Sequence, residues 1–259
     1  MKSQSNKAEF SPDHHAPLYL ESPMGKGLVI FVHGFMGSPR QFDRLAEVVH
    51  SKGYSAASLL LPGHGGSAKD FISSTFIHWQ NHVNCEVERF IRDYENIWLV
   101  GHSMGGLLAI NSAIRYNSHI RGLFTIATPF KLVTFSVRAT RVFMHLLFSR
   151  KSSPMKTAYF AGCGVHPSAS LFWRALRPVT ELRKLTHFTK DNLPNVRAPV
   201  TAVFSVSDEL TSMGSLNTFI TGLTGTVFDQ VLLSDSLHVY YPEHEFTRIE
   251  QALVSMVLA

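Results

Sequence analysis

The chain has 259 residues, 45% of them hydrophobic and 17% charged, with a formal net charge of +5. This composition excludes an intrinsically disordered chain, and the two cysteines, Cys85 and Cys163, exclude a disulfide scaffold and suit a reducing compartment. No apolar run approaches the roughly 18 residues of a spanning helix, and MKSQSNKAEFSPDHH lacks the apolar stretch of a secretory signal, so a cytoplasmic protein with a disordered leader over residues 1–15 is expected.

The first strong element is GLVIFVH at 27–33, a β-branched and aromatic run that reads as a buried strand. Residues 38–52 follow with helical spacing, Ser38 as N-cap and Pro39 at the first helical position. A strand is predicted over 55–61, a helix over 79–94, a wholly apolar strand over 97–100, a small-residue helix over 105–116 and a strand over 120–127. Continuous apolar strands alternating with helices imply a mostly parallel sheet with helices on both faces. The alternation breaks at Pro129 and resumes with PVTAVFS at 199–205. A last strand over 226–233 and an amphipathic helix over 243–258 close the chain. The expected division is an α/β core over 16–130 and 196–259, with a helical insertion over 131–195 between two late strands.

The insertion is basic. Residues 131–190 carry eleven Lys and Arg against Glu181, a net +10, which leaves −5 for the rest of the chain. The commoner meaning of such a run is a solvated face on a lid. Yet VRATRVFMHLLF at 137–148 joins arginines to apolar residues, so peripheral contact with an anionic membrane surface, or attraction of an anionic substrate, stays open. Phe130, Phe135, Phe143, Phe148, Phe160, Phe172 and Trp173 suit an apolar acyl pocket.

Gly101-His102-Ser103-Met104-Gly105 matches G-x-S-x-G, directly after the 97–100 strand and before a helix. A serine on that sharp turn is pushed out at the carboxyl edge of the sheet, where ligands of such folds bind, and the helix it opens turns its positive end toward developing negative charge. A serine hydroxyl needs a base, and in this architecture an acid and then a histidine follow it along the chain. Of His145, His166, His187, His238 and His244, the first three lie in the insertion and His244 opens the last helix facing solvent. His238, just past the last strand, is the base. Asp208, where the 199–205 strand meets its loop, is the acid that holds the histidine tautomer. Glu209 beside it would point differently, Asp229 lies within a strand, and Asp235 sits too near His238 along the chain. An oxyanion needs two backbone donors. They are assigned to Met104, after the nucleophile, and Phe35, in His33-Gly34-Phe35-Met36-Gly37. Phe35, Met36 and His102 are the expected substrate-binding residues.

These pieces, with Leu61-Pro62-Gly63-His64-Gly65 and Leu237-His238-Val239, make the chain resemble the α/β-hydrolase superfamily, and within it the bacterial carboxylesterase and monoacylglycerol-lipase branch. The resemblance runs in order from about residue 27 to the C-terminus. It implies the α/β-hydrolase fold, a Ser103-Asp208-His238 triad, Phe35 and Met104 as oxyanion donors, and a cap domain where the basic insert lies. Residues 131–190 match no family pattern, and Leu237 stands where a small residue often precedes the histidine. The expected activity is that of a serine hydrolase cleaving carboxylic esters, a monoacylglycerol or another medium-length acyl ester, through an acyl-enzyme. An acyltransferase using the same triad, or a non-catalytic binding protein on the same fold, is the alternative. No cofactor or metal is implied, since no H-E-x-x-H occurs and neither cysteine has a close Cys/His companion. No nucleic-acid module is present, and the oligomeric state stays open.

Overall fold

The computed structural model describes residues 15–132, 153–165 and 176–259. Seven described strands form one sheet: β1 (Leu18–Leu20), β2 (Leu28–Val32), β3 (Ser55–Leu59), β4 (Ile97–His102), β5 (Ile120–Ile126), β6 (Val200–Ser205) and β7 (Phe228–Leu233). Their spatial order is β1-β3-β2-β4-β5-β6-β7. β1 pairs antiparallel with β3, and all other pairs are parallel. β2, β3 and β4 are buried at every residue, which is why they read as unbroken apolar or small-residue runs rather than alternating ones.

Helices cover both faces. One face packs α2 (Ala68–Ser73), α3 (Phe76–Ile91), α4 (Met104–Arg115), α6 (Leu176–Asn192) and α7 (Gly214–Gly222) through Phe71, Trp79, Val83, Leu107, Leu185 and Phe219. The other packs α1 (Asp43–Ser51) and α8 (Glu243–Leu258) through Leu45, Val49, Ile249 and Leu253. Each large side chain removed from water in this way stabilises the fold by roughly 2 kcal/mol. Among the described residues no helix is long and apolar enough to cross a membrane.

The chain passes outward from β2 to β3, then returns on the other side of β2 to lay down β4. The reversal leaves a crevice at the carboxyl ends of β2 and β4, the place where open α/β sheets bind ligands. The loop at Gly34–Gly37 leaves β2 there, and Ser103 ends β4 there.

Several elements depart from expectation. The 38–52 helix is a 3-10 turn (Pro39–Phe42) followed by α1, with Pro39 in the first turn as expected. α3 starts three residues early, because Thr75 caps it by accepting from the His78 amide, and α2 before it is capped in the same way by Ser67. Neither β1 nor α7 was expected. β1 has three residues, and α7 opens on Gly214 and holds Asn, Thr and Gly, so packing of Leu216 and Phe219 overrides a poor helix propensity. His15, assigned to the leader, is instead buried against the loop at Gly65.

Within the insertion the structure describes α5 (Pro154–Ala161), its following loop, and α6. α6 buries Leu182 and Leu185 in the same cluster as α3 and α4. The basic and apolar segment over 137–148 lies outside the described residues, as do Phe135, Phe172 and Trp173 and the leader over 1–14.

Candidate active site

The turn between β4 and α4 carries Ser103 at φ 53° and ψ −120°. A positive φ is costly for any residue with a Cβ, on the order of 1–3 kcal/mol, and persists where the surroundings dictate it. Here the Ser103 amide donates to the Ile126 carbonyl of β5 at 2.8 Å, and its carbonyl accepts from Gly106 at 3.0 Å. The two flanking glycines are demanded by contact. A Cβ on Gly105 would stand 1.9 Å from the Val32 carbonyl oxygen, and one on Gly101 would stand 2.4 Å from the Gly105 carbonyl oxygen. Both obstacles are backbone, so no rotamer change relieves them. Gly105→Ala is therefore expected to destabilise the protein by about 3 kcal/mol or more. A thermal melt checks it, and a midpoint equal to wild type would contradict this account of the turn.

Ser103, Asp208 and His238 come from three distant segments and are all buried. His238 Nε2 lies 2.9 Å from Ser103 Oγ, and His238 Nδ1 lies 2.9 Å from Asp208 Oδ2. The carboxylate only accepts, so the Nδ1 proton points to Asp208 and Nε2 is left to accept from the serine hydroxyl. Asp208 Oδ1 also accepts the Leu210 and Thr211 amides, at 2.8 and 2.7 Å. Burial alone would raise the Asp208 pKa, but the His238 ring and these two amides outweigh it and hold the carboxyl below its ordinary value. Burial alone would lower the His238 pKa, but the Asp208 charge and hydrogen bond, with Glu209 behind them, hold it above 6.5.

The backbone of the His238 loop is fastened on both sides. The His238 amide donates to Glu209 Oε2 at 3.0 Å, and the His238 carbonyl accepts from His102 Nε2 at 2.8 Å and the Tyr241 hydroxyl at 2.9 Å. Upstream, buried Glu245 accepts the amides of Ser234, Asp235 and Ser236 at 2.6, 3.1 and 2.7 Å, together with the Ser236 hydroxyl. The Ser205 hydroxyl donates to the Ser236 carbonyl at 2.6 Å. Leu237 is thus accommodated within a clamped loop. The His102 ring is neutral, its pKa pushed down to about 3 by burial and then by the neighbouring His238.

The loop after β2 is equally constrained. The Gly37 amide donates to the Gly34 carbonyl at 2.9 Å, and the Gly34 amide donates to Gln41 Oε1 at 3.2 Å. His33 Nδ1 donates to the Gly34 carbonyl at 3.0 Å, while its Nε2 accepts the Leu61 amide at 3.1 Å. The Phe35 ring packs edge-on against Phe71, with centroids 4.9 Å apart. Met104 opens α4, and the first amides of a helix have no carbonyl within that helix to donate to.

Ser103 and His238 line a cavity of about 320 Å³, walled by Phe35, Met36, Leu132, Tyr159, Cys163, Leu182 and Leu210. His102 lines a neighbouring cavity of about 210 Å³ with Arg40, Phe42, Leu45, Tyr241 and Phe246, and the two cavities share Gln41, Gly162 and Val239. Phe35 and Met36 thus stand beside the serine, whereas His102 stands behind the His238 loop. Sequence reasoning set Glu209 aside and passed over Tyr159, Tyr241, Gln41 and Glu245. Adjacency to Asp208 was the one available signal for Glu209. Among the described residues, the potential metal-ligand atoms that converge are those of Asp235, His244 and Glu245, and the Glu245 oxygens already accept the loop amides.

A family model described as serine aminopeptidase, S33, matches residues 24–164. A thermostable monoacylglycerol lipase of Bacillus sp. (strain H-257) is 26% identical over 230 residues, covering 86% of each chain. Among solved structures, one from a study of two metagenome-derived lipolytic enzymes superposes with a TM-score of 0.74 at 20% identity, covering 95% of this chain and 98% of the other. A soluble variant of the Saccharomyces cerevisiae monoglyceride lipase, bound to a substrate analogue, superposes with a TM-score of 0.72 at 14% identity, covering 93% and 90%.

Proposed function

Because the chain belongs to the serine aminopeptidase S33 family of α/β-hydrolases, we propose that it cleaves carboxylic esters, as a carboxylesterase or monoacylglycerol lipase, through Ser103, Asp208 and His238. The observation that carries the reading is the continuous chain of hydrogen bonds from Ser103 Oγ through His238 to Asp208, at 2.9 Å for each link. Ser103 Oγ attacks the acyl carbonyl while His238 Nε2 takes its proton, and Asp208 steadies the imidazolium that forms. The amides of Phe35 and Met104 hold the oxyanion. As the tetrahedral intermediate collapses, His238 returns the proton to the leaving alcohol, which leaves an acyl-enzyme. His238 then takes a proton from water, which attacks and frees the acid.

An ester rather than a peptide is supported by the apolar wall of the Ser103 cavity and by the monoacylglycerol lipase that matches over most of both chains. Residues 131–195 act as the cap of this site over a core of 16–130 and 196–259, a reading supported by Tyr159, Cys163 and Leu182, which wall the cavity.

The test pairs a fluorophosphonate probe with p-nitrophenyl esters of graded chain length and amino-acid p-nitroanilides. Covalent labelling and turnover of the esters in preference to the anilides are expected. Folded protein that takes no label, or that turns over anilides alone, overturns the reading.

The pH dependence follows from which form of His238 works. The ring must be neutral to accept the serine proton, so kcat/KM rises with pH as His238 deprotonates. Asp208 raises that pKa above 6.5, so the acid limb of the profile is expected above the value for an ordinary histidine. A flat profile through this range would exclude His238 as the base.

A further inference from the structure

We propose that Glu209 is a positioning residue for His238, and that its bond to Tyr159 ties the seating of α5 to the alignment of the triad. This rests on the reading of Ser103, Asp208 and His238 as the triad. Glu209 is 2% exposed. Among the described residues no Lys or Arg stands within ion-pair distance of it. An unpaired buried carboxylate is costly unless hydrogen bonds replace its water, so where those bonds go indicates what the charge does. One oxygen accepts the backbone amide of His238 at 3.0 Å, and the other accepts the hydroxyl of Tyr159. Asp208 holds the His238 ring and the neighbouring Glu209 holds its backbone, so one turn after β6 fixes both.

Tyr159 belongs to α5, far along the chain from Glu209, and it also walls the Ser103 cavity. The loop that follows α5 is fastened to the proposed oxyanion loop, since the Gly164 amide donates to the Met36 carbonyl at 2.8 Å. When α5 is seated, the Tyr159 hydroxyl completes the shell of Glu209. Without the Tyr159 hydroxyl, Glu209 lacks that donor and its grip on His238 slackens.

The charged and titratable groups facing His238 are Asp208 and Glu209 from the loop after β6, His102 from the end of β4, and Tyr241 from its own loop. Tyr159 of α5 reaches it through Glu209. His102 is neutral, and the two carboxylates favour the imidazolium. Removing the Glu209 charge therefore lowers the pH at which His238 deprotonates.

The experiment uses the full chain, with fluorophosphonate titration to count competent sites and p-nitrophenyl butyrate for kinetics. In Glu209→Ala, kcat per titrated site is expected to fall on the order of 10²-fold with KM little changed, the cost of a displaced base. Glu209→Gln keeps an oxygen for the His238 amide, so most of kcat returns, but its acid limb shifts to lower pH. Tyr159→Phe lowers kcat on the order of 10-fold, the loss of a hydrogen bond to a charged group. In the Glu209→Ala background the same change adds nothing, because Tyr159 acts through Glu209.

Wild-type kcat per site in Glu209→Ala, or an unmoved acid limb in Glu209→Gln should the alanine variant not fold, overturns the positioning role. Additive effects of the two substitutions overturn the link to α5. A wild-type chain that takes no fluorophosphonate overturns the triad itself, an outcome distinct from the other two.

Discussion

Ser103→Ala is expected to lower kcat on ester substrates by about 10⁶-fold while leaving the fold intact. The variant keeps its Cβ and therefore the strain at φ 53°, so the turn itself is unchanged. What disappears is the hydroxyl oxygen 2.9 Å from His238 Nε2, the proposed nucleophile. The remaining donors and the cavity still bind an ester, so a residual rate on the order of 10³–10⁴ over water is expected rather than none. Three measurements check this together: steady-state turnover, fluorophosphonate labelling and the thermal midpoint. An unlabelled, inactive variant that melts like wild type is the expected set. Retained labelling would mean that another nucleophile reacts, and Cys163, which walls the same cavity, would be the next residue to substitute.

Asp208→Asn is expected to lower kcat at neutral pH by about 10⁴-fold. The change is nearly isosteric, and the side-chain oxygen can still accept the Leu210 and Thr211 amides that shape the turn. The new NH₂ then faces His238 Nδ1, where a carboxylate oxygen now lies at 2.9 Å. Two donors cannot share that contact, so the ring proton moves to Nε2 and points at Ser103 Oγ, which needs an acceptor there. The loss of charge also lowers the His238 pKa, so the remaining activity should titrate at lower pH than in wild type. Asp235→Asn is the matched control. Its carboxylate is about two-thirds exposed and points to His244, so kcat is expected to stay near the wild-type value. Loss of activity in Asp235→Asn with retention in Asp208→Asn would exchange the roles of the two acids.

The turn at Ser103 was readable from sequence because its causes are local. A buried strand, two glycines that no Cβ can replace and the start of a helix all fall between Ile97 and Arg115. The parallel sheet was readable for a related reason: a strand covered on both faces, such as Leu28–Val32, is built from an unbroken apolar run. Chain order then narrowed the proposed acid and base to the loops after β6 and β7.

Short or weakly patterned elements were not readable. β1 is three residues long, and α7 is a helix because Leu216 and Phe219 are buried, not because its glycines, threonines and asparagine favour one. The shell around His238 lay further from view. Glu209, Tyr159, His102, Tyr241 and Glu245 are polar residues whose spacing in sequence carries no period. Their roles exist because folding brings α5, the end of β4 and the start of α8 against one loop and removes the water that would otherwise satisfy that loop's amides and carbonyl. Composition and local pattern therefore determined the six parallel strands, the strained serine and the two loops that face it. The packing of remote segments alone decided which buried carboxylate holds the His238 ring and which holds its backbone, because the partner of a buried polar group is chosen by proximity in space.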